Sequence, residues 1–222
     1  MVNGIMVKAS GIHKSYGALP VLKGIDMEVK KSEVISIVGA SGAGKSTLLH
    51  IIGTLDTPDQ GSIIIDQKEV FSQSPTSLAS FRNASIGFVF QFHNLLPEFS
   101  ALENVMIPGL IGKKKVEDVK KKAKDLMDLL GVGNRSEHKP AELSGGEQQR
   151  TAVARALIND PTLILADEPS GNLDSKNARD LHQLFFDLRK QLNHTFIIVT
   201  HNQEFAAMAD RVLEIKDGLI KK

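Results

Sequence analysis

Chemistry in this chain gathers where apolar runs end and glycines or charged residues begin. GASGAGKST, residues 39–47, follows the apolar run EVISIV and precedes the helix-like STLLHIIG. A glycine, four residues, then Gly44, Lys45 and Ser46 is the spacing of a P-loop, here in the strand-then-helix setting that the pattern requires. Across Gly39, Ala40, Ser41, Gly42, Ala43 and Gly44 the small residues let backbone N–H groups turn inward around phosphates, and the helix start adds roughly half a positive charge. Lys45 is expected to reach the β- and γ-phosphates, the Ser46 hydroxyl to ligate Mg²⁺, and Thr47 to complete the cradle. These residues alone leave a kinase, a GTPase, a helicase and a transport ATPase open.

LILADEP, residues 163–169, ends an apolar strand on two adjacent carboxylates, which is costly unless a cation or polar ligand waits there. Asp167 fits an acid that helps to hold Mg²⁺ through water, and Glu168 a general base that orients water against a γ-phosphate; a strand-end helix cap is the alternative for either. Gln91 closes IGFVF and His201 closes TFIIVT. Ligands of open parallel sheets sit beyond the carboxyl ends of the strands. Gln91 and His201 are therefore expected to share a crevice with the P-loop, Gln91 offering its carbonyl to Mg²⁺ or water and His201 a hydrogen bond to the γ-phosphate.

A fourth stretch, LSGGEQQR at residues 143–150, combines a capping box, Ser144 with Glu147, and two glycines. Each glycine costs a helix about 1 kcal/mol against alanine. The missing side chains at Gly145 and Gly146 would let an anion approach the backbone N–H groups, with the Ser144 hydroxyl as a further contact. A plain loop-to-helix junction is the other reading.

The elements that must position these residues are an α/β set. Residues 1 to about 30 read as a small antiparallel sheet from GIMVKA and LKGIDMEV. EVISIV, IGFVF (86–90), TLILA (162–166) and TFIIVT (195–200) are apolar on both faces, as buried parallel strands are. Residues 95–158 read as helical and inserted between strands of the core. Within them Val116, Val119, Ala123, Leu126, Met127 and Leu130 form one stripe, stopped by Gly131. The lysines between Lys113 and Lys124 are interleaved with Glu117, Asp118 and Asp125, which favours a solvated helix face over a nucleic-acid patch. In FVFQFHNLLPEFS, Phe90, Phe92, Leu95, Leu96 and Phe99 could line a groove for a partner helix or belong to the subdomain core.

With 222 residues, 41% hydrophobic and 24% charged, the chain fits one large soluble domain with a subdomain. A net charge of +1 gives no footprint for nucleic acid or an anionic membrane surface, and the absence of cysteine excludes disulfides and thiolate metal sites. The start of the chain does not read as a signal peptide, and no apolar run reaches the ~18 residues of a membrane span, so a cytoplasmic location without direct membrane insertion is expected. After RVLEIKDG and LIKK no room is expected for a C-terminal regulatory domain.

Taken in order, these motifs resemble the ATP-binding cassette (ABC) ATPases along nearly the whole of residues 1–222, read as one domain: GASGAGKST as Walker A, Gln91 as the Q-loop, LSGGEQQR as the signature, LILADEP as Walker B, SGNLD as the D-loop and His201 as the switch histidine. The resemblance implies a RecA-like P-loop NTPase core with an inserted helical subdomain, and hydrolysis of ATP with Mg²⁺ held by Ser46, Gln91 and Asp167. It also implies adenine stacked on Tyr16 and an ATP-dependent homodimer in which Ser144, Gly145, Gly146 and Glu147 meet the nucleotide of the other subunit. QFHNLLPEFSALENVMIPGLIGKKK, GTLDTPDQGSI and ADEPSGNLD are similar to a LolCDE-type lipoprotein-releasing subfamily, in a group with MacB-type exporters and FtsE-like cell-division ATPases. That implies LolC/LolE-like permease subunits as partners at the cytoplasmic face of the inner membrane. Soluble ABC ATPases of DNA repair carry a long coiled-coil insertion, and those of translation usually two cassettes; neither feature is present. A small-substrate P-loop kinase would not account for LSGGEQQR and the switch histidine.

Overall fold

In the computed structural model, which describes residues 4–221, the elements in chain order are β1 (Ile5–Tyr16), β2 (Leu19–Lys30), β3 (Val34–Val38), α1 (Lys45–Ile52), β4 (Gln60–Ile65), β5 (Lys68–Glu69), α2 (Pro75–Ser85), β6 (Ile86–Phe90), α3 (Ala101–Ile111), α4 (Val116–Leu129), α5 (Gly145–Leu157), β7 (Leu163–Asp167), α6 (Ser175–Leu192), β8 (Thr195–Val199), α7 (Gln203–Met208), β9 (Arg211–Lys216) and β10 (Leu219–Ile220). Short 3₁₀ turns at Gly133–Arg135 and Pro140–Glu142 lead into α5. Residues 1–3, where the expected N-terminal sheet begins, lie outside the described residues. Among the described residues no helix is long and apolar enough to cross a membrane.

The chain divides into two compact units, residues 1–82 with 188–222, and residues 83–187. In the first, β1 pairs antiparallel with β2 and β4, and β4 with β5. Alternation buries Leu22, Ile25, Met27 and Val29 along β2 while their neighbours face outward, the pattern of a sheet covered on one side. β3 is flanked by β8 and β9, both parallel to it. All five residues of β8 are buried, which is why that segment reads as an unbroken apolar run.

In the second unit β6 pairs parallel with β7, and α3, α4 and α5 occupy the stretch read as helical. Val119, Ala123, Leu126, Met127 and Leu130 are buried as the stripe predicts, but Val116 is 56% exposed. Val116 is only the first helical residue; packing against α3 is made by Val119, whose methyl carbons lie 2.8 and 3.0 Å from where a Cβ on Gly109 would stand. The lysines of α4 and its approach are mostly exposed, as a solvated face requires.

Candidate active site

In the first unit Ile37 lies opposite Val199, and the Thr200 N–H donates to the Ile37 carbonyl at 3.2 Å. The chain therefore leaves β3 into the P-loop and β8 into His201 at the same, carboxyl end. Gly44 caps α1 with φ 102° and ψ 9°, a left-handed conformation, and offers no side chain to the opening amides of the helix. A Cβ there would stand 2.7 Å from Leu22 Cδ2, so glycine is required by space as well as by torsion. The Lys45 ammonium folds back to donate to the Gly39 and Ala40 carbonyls, both at 2.9 Å. A helix start without a side-chain cap beside an ammonium group is a receptor for an anion. Beside the loop opens a cavity of ≈ 320 Å³ lined by Ala40, Ser41, Gly42 and Ala43 together with Val21, Lys23 and Lys216.

In the second unit the register sets Phe90 opposite Asp167, so Gln91 and Glu168 leave neighbouring strands at one level. Asp167, Glu168 and Gln91 are all partly buried. Glu168 has φ 46°, an uncommon conformation for a residue with a long side chain and of the kind that clusters at functional sites. Its carbonyl accepts the Gly171 N–H at 3.0 Å, closing the turn. Gln91 is clasped by Asn172: its Nε2 donates to Asn172 Oδ1 at 3.1 Å, and Asn172 Nδ2 donates to the Gln91 carbonyl at 3.1 Å.

The segment from Ser170 to Asp174 is pinned at two further places. His182 Nε2 lies 2.9 Å from Ser170 Oγ, and burial pushes that imidazole down to about 4, so it is neutral at physiological pH. Asp174 caps α6, accepting the Lys176 and Asn177 N–H groups at 3.0 and 2.9 Å. His182 does not stand out in the sequence, since a lone histidine in a helix carries no spacing signal; Asn172 falls within the SGNLD motif, but nothing in its spacing points to Gln91 as its partner.

At the signature the capping box forms in both directions. The Ser144 hydroxyl accepts the Glu147 N–H at 3.3 Å, while Glu147 Oε2 accepts the Ser144 N–H at 2.8 Å. The same hydroxyl donates to Glu147 Oε2 at 2.9 Å, so here it serves as a cap. Arg135 Nε donates to Glu147 Oε1 at 2.7 Å. The Ser144 backbone N–H and then Arg135 hold the Glu147 carboxyl down to about 2. A carboxyl lowered on folding contributes stability that is complete above its ordinary value near 4.5 and is lost as pH falls toward about 2. Glu147→Gln is accordingly expected to lower Tm by a few degrees at pH 7. The gap from the parent should narrow as melting curves are taken from pH 5 to pH 3.5.

The two glycines differ. A Cβ on Gly146 would meet the Asn177 amide at 2.9 Å, whereas one on Gly145 would find only Leu173 Cδ2 at an ordinary 3.7 Å. At Gly146 the Asn177 amide on α6 would have to shift to admit a Cβ. Among the described residues no close contact accounts for the missing side chain at Gly145.

A family model described as ABC transporter matches residues 22–171. This chain belongs to the ABC transporter family. It is 58% identical to the lipoprotein-releasing system ATP-binding protein LolD of Cytophaga hutchinsonii over 97% of this chain and 98% of that one. The protein of the same description from Bacteroides thetaiotaomicron is also 58% identical, over 98% and 100%. Among solved structures, a dimeric bacterial ABC transporter cassette superposes with a TM-score of 0.91 at 38% identity, covering 98% of this chain and 97% of that one. A dimeric cassette in a post-hydrolysis state bound to ADP and Pi gives 0.90 at the same identity and coverage. The chain is thus an ABC-type ATPase with the α/β cassette fold, from a family that binds ATP.

The site residues expected from the sequence come from both units. Tyr16, the P-loop from Gly39 to Thr47 and His201 lie in the first; Gln91, Asp167, Glu168 and Ser144 to Glu147 lie in the second. Among the described residues no group of three or more His, Asp or Glu is placed to hold a metal. By chemistry alone, one carboxylate with neutral hydroxyl and amide oxygens, the residue types at Asp167, Ser46 and Gln91, would suit a small cation that keeps waters, as Mg²⁺ does.

Proposed function

We propose that this chain is the ATP-hydrolysing subunit of a membrane transporter that drives release of lipoproteins from the inner membrane toward the outer membrane. Residues 1–222 act as a single cassette domain whose helical subdomain spans about 95–158. The observation that carries the catalytic part is the strand register, Ile37 with Val199 and Phe90 with Asp167, from whose ends the motif residues emerge. The cargo is supported by relatives 58% identical over nearly their whole length and described as lipoprotein-releasing. That favours this reading over a MacB-type exporter, an FtsE-like complex or a soluble ATPase of DNA repair or translation.

In this reading Tyr16 stacks on adenine and the P-loop amides surround the phosphates. The Lys45 ammonium exchanges its two loop carbonyls for phosphate oxygens. Ser46, Gln91 and Asp167 would hold Mg²⁺, which would supply positive charge against the nucleotide phosphates. Glu168 accepts a proton from the attacking water, and His201 donates a hydrogen bond to the γ-phosphate. Ser144 to Glu147 complete the site of a second copy, so the working unit is a homodimer. LolC/LolE-like permease subunits hold it at the cytoplasmic face of the inner membrane, and nucleic acid has no part. The test is isolation of the chain with its membrane partners. ATPase activity should require Mg²⁺, be lost with EDTA, and accompany lipoprotein release from proteoliposomes. Partner-independent transfer of phosphate to a small acceptor would overturn the reading.

A further inference from the structure

An aromatic ring that stacks on a base binds best when its orientation is fixed before the base arrives, because rotamer freedom lost on binding subtracts from affinity. Tyr16, the last residue of β1, is 51% exposed, yet its hydroxyl is tied down: it donates to Asp56 Oδ2 at 2.6 Å. The other Asp56 oxygen has a different task. Oδ1 accepts from the Lys14 ammonium at 2.8 Å and from the Thr57 N–H at 2.7 Å. Lys14 is buried, and its ammonium also donates to the Thr57 carbonyl at 2.7 Å while standing 5.3 Å from the centre of the Tyr16 ring. Asp59 ties the same strand end down, its Oδ2 accepting the Ser15 N–H at 2.6 Å.

Asp56 lies just beyond the C-terminus of α1, the helix that the P-loop opens, and its N–H is bonded to the His50 carbonyl of that helix. One carboxylate therefore joins the far end of the phosphate-binding helix to the ring at the end of β1. Burial by itself would raise the Asp56 carboxyl, but the hydrogen bonds from Lys14, Tyr16 and Thr57 outweigh it and keep the group below its usual range. Donation to that carboxylate raises the Tyr16 phenol. Both directions keep the pair as charged acceptor and protonated donor at neutral pH.

We propose that Asp56 is a positioning residue for nucleotide binding: its Oδ2 fixes the Tyr16 ring that meets the base, while its Oδ1, braced by Lys14, holds Asp56 itself in place. The proposal rests on the reading of Tyr16 as the stacking residue. Asp56→Asn tests it with little disturbance to the fold, since an amide oxygen can still face Lys14 and Thr57 while the charged acceptor of the Tyr16 hydroxyl becomes an NH₂ that can only donate to the phenol oxygen, a weaker, uncharged hydrogen bond.

Calorimetric titration of the full chain with ATP, and with tripolyphosphate, which has no base, separates the possibilities. Asp56→Asn and Tyr16→Phe should each weaken ATP about 3- to 10-fold, the double variant no more than the weaker single one, with tripolyphosphate affinity unchanged throughout. In ATPase assays Asp56→Asn should raise KM by a similar factor and leave kcat within about twofold. Additive losses in the double variant would overturn the proposal, as would an equal loss of tripolyphosphate affinity, which would assign Asp56 to the P-loop instead. Native ATP affinity in Tyr16→Ala would overturn the stacking role and the proposal with it, whereas failure of the parent chain to bind tripolyphosphate or ATP would refute the nucleotide site as a whole.

Discussion

Glu168→Gln is expected to lower ATP turnover by about 10²- to 10⁴-fold and to convert the chain into a dimer that persists in ATP. The side chain removed is the one carboxylate that the turn after β7 holds in a left-handed backbone conformation, and glutamine keeps its volume while losing its basicity. In the proposed homodimer, slowed hydrolysis would leave both nucleotides intact to join two copies through a symmetric exchange of the same surfaces. Adding Gly145→Asp should abolish that dimer. Among the described residues a Cβ at Gly145 would find only Leu173 Cδ2, at an ordinary 3.7 Å, and an acidic residue in the first turn of a helix is favourable to its dipole. Folding of the monomer is therefore spared. On the proposed role of the signature, the new carboxylate would face the partner's γ-phosphate, and like charges brought together at an interface cost several kcal/mol. Gly146→Asp would be a poorer probe because it strikes the Asn177 amide first. Sedimentation velocity with and without ATP reads the result. A double variant that dimerises as readily as Glu168→Gln would remove the signature from the partner's site.

What the sequence made legible was whatever has a period or a fixed spacing. The four buried strands appear within one residue of where their apolar runs put them, because burial on both faces leaves no polar positions to blur the ends. The glycine spacing of the P-loop was readable since Gly44 answers a torsion and a steric demand together. Pairings across long separations were not readable. Asn172 with Gln91, His182 with Ser170 and Asp56 with Tyr16 are single side chains meeting through the tertiary fold, and none repeats with helix or strand period. The two signature glycines look alike in sequence, and only the place of Asn177 separates the one where a Cβ would be crowded from the one where it would not. Val116 shows the converse limit: a residue can continue an apolar stripe and still overhang the contact that the stripe makes.

Leu96→Glu or Phe99→Glu is expected to abolish lipoprotein release while sparing ATP binding. Phe92, Leu96 and Phe99 are 73%, 43% and 42% exposed; Leu96 and Phe99 are thus more than half covered, and a charge at either should lower the melting temperature by a few degrees while leaving the chain folded. Such exposed apolar residues would ordinarily be mobile, but the turn that carries them is braced from within. Fully buried Asn104 accepts the Leu96 N–H at 2.8 Å, and its amide nitrogen lies 3.1 Å from the Leu96 carbonyl, 3.1 Å from that of Phe99 and 3.0 Å from that of Ser100. On the other side Arg155 donates to the carbonyls of His93 and Asn94, both in left-handed conformations. The stretch between Gln91 and α3 is thus held by hydrogen bonds from both sides, which would lower the ordering cost of docking a permease helix on the proposed groove. A buried charge facing that helix would find no partner, which is why the expected effect is loss of coupling instead of a graded decrease. ATP titration, melting curves and release from proteoliposomes on the same preparations decide it: unaltered release in either variant would place the permease contact elsewhere on the cassette.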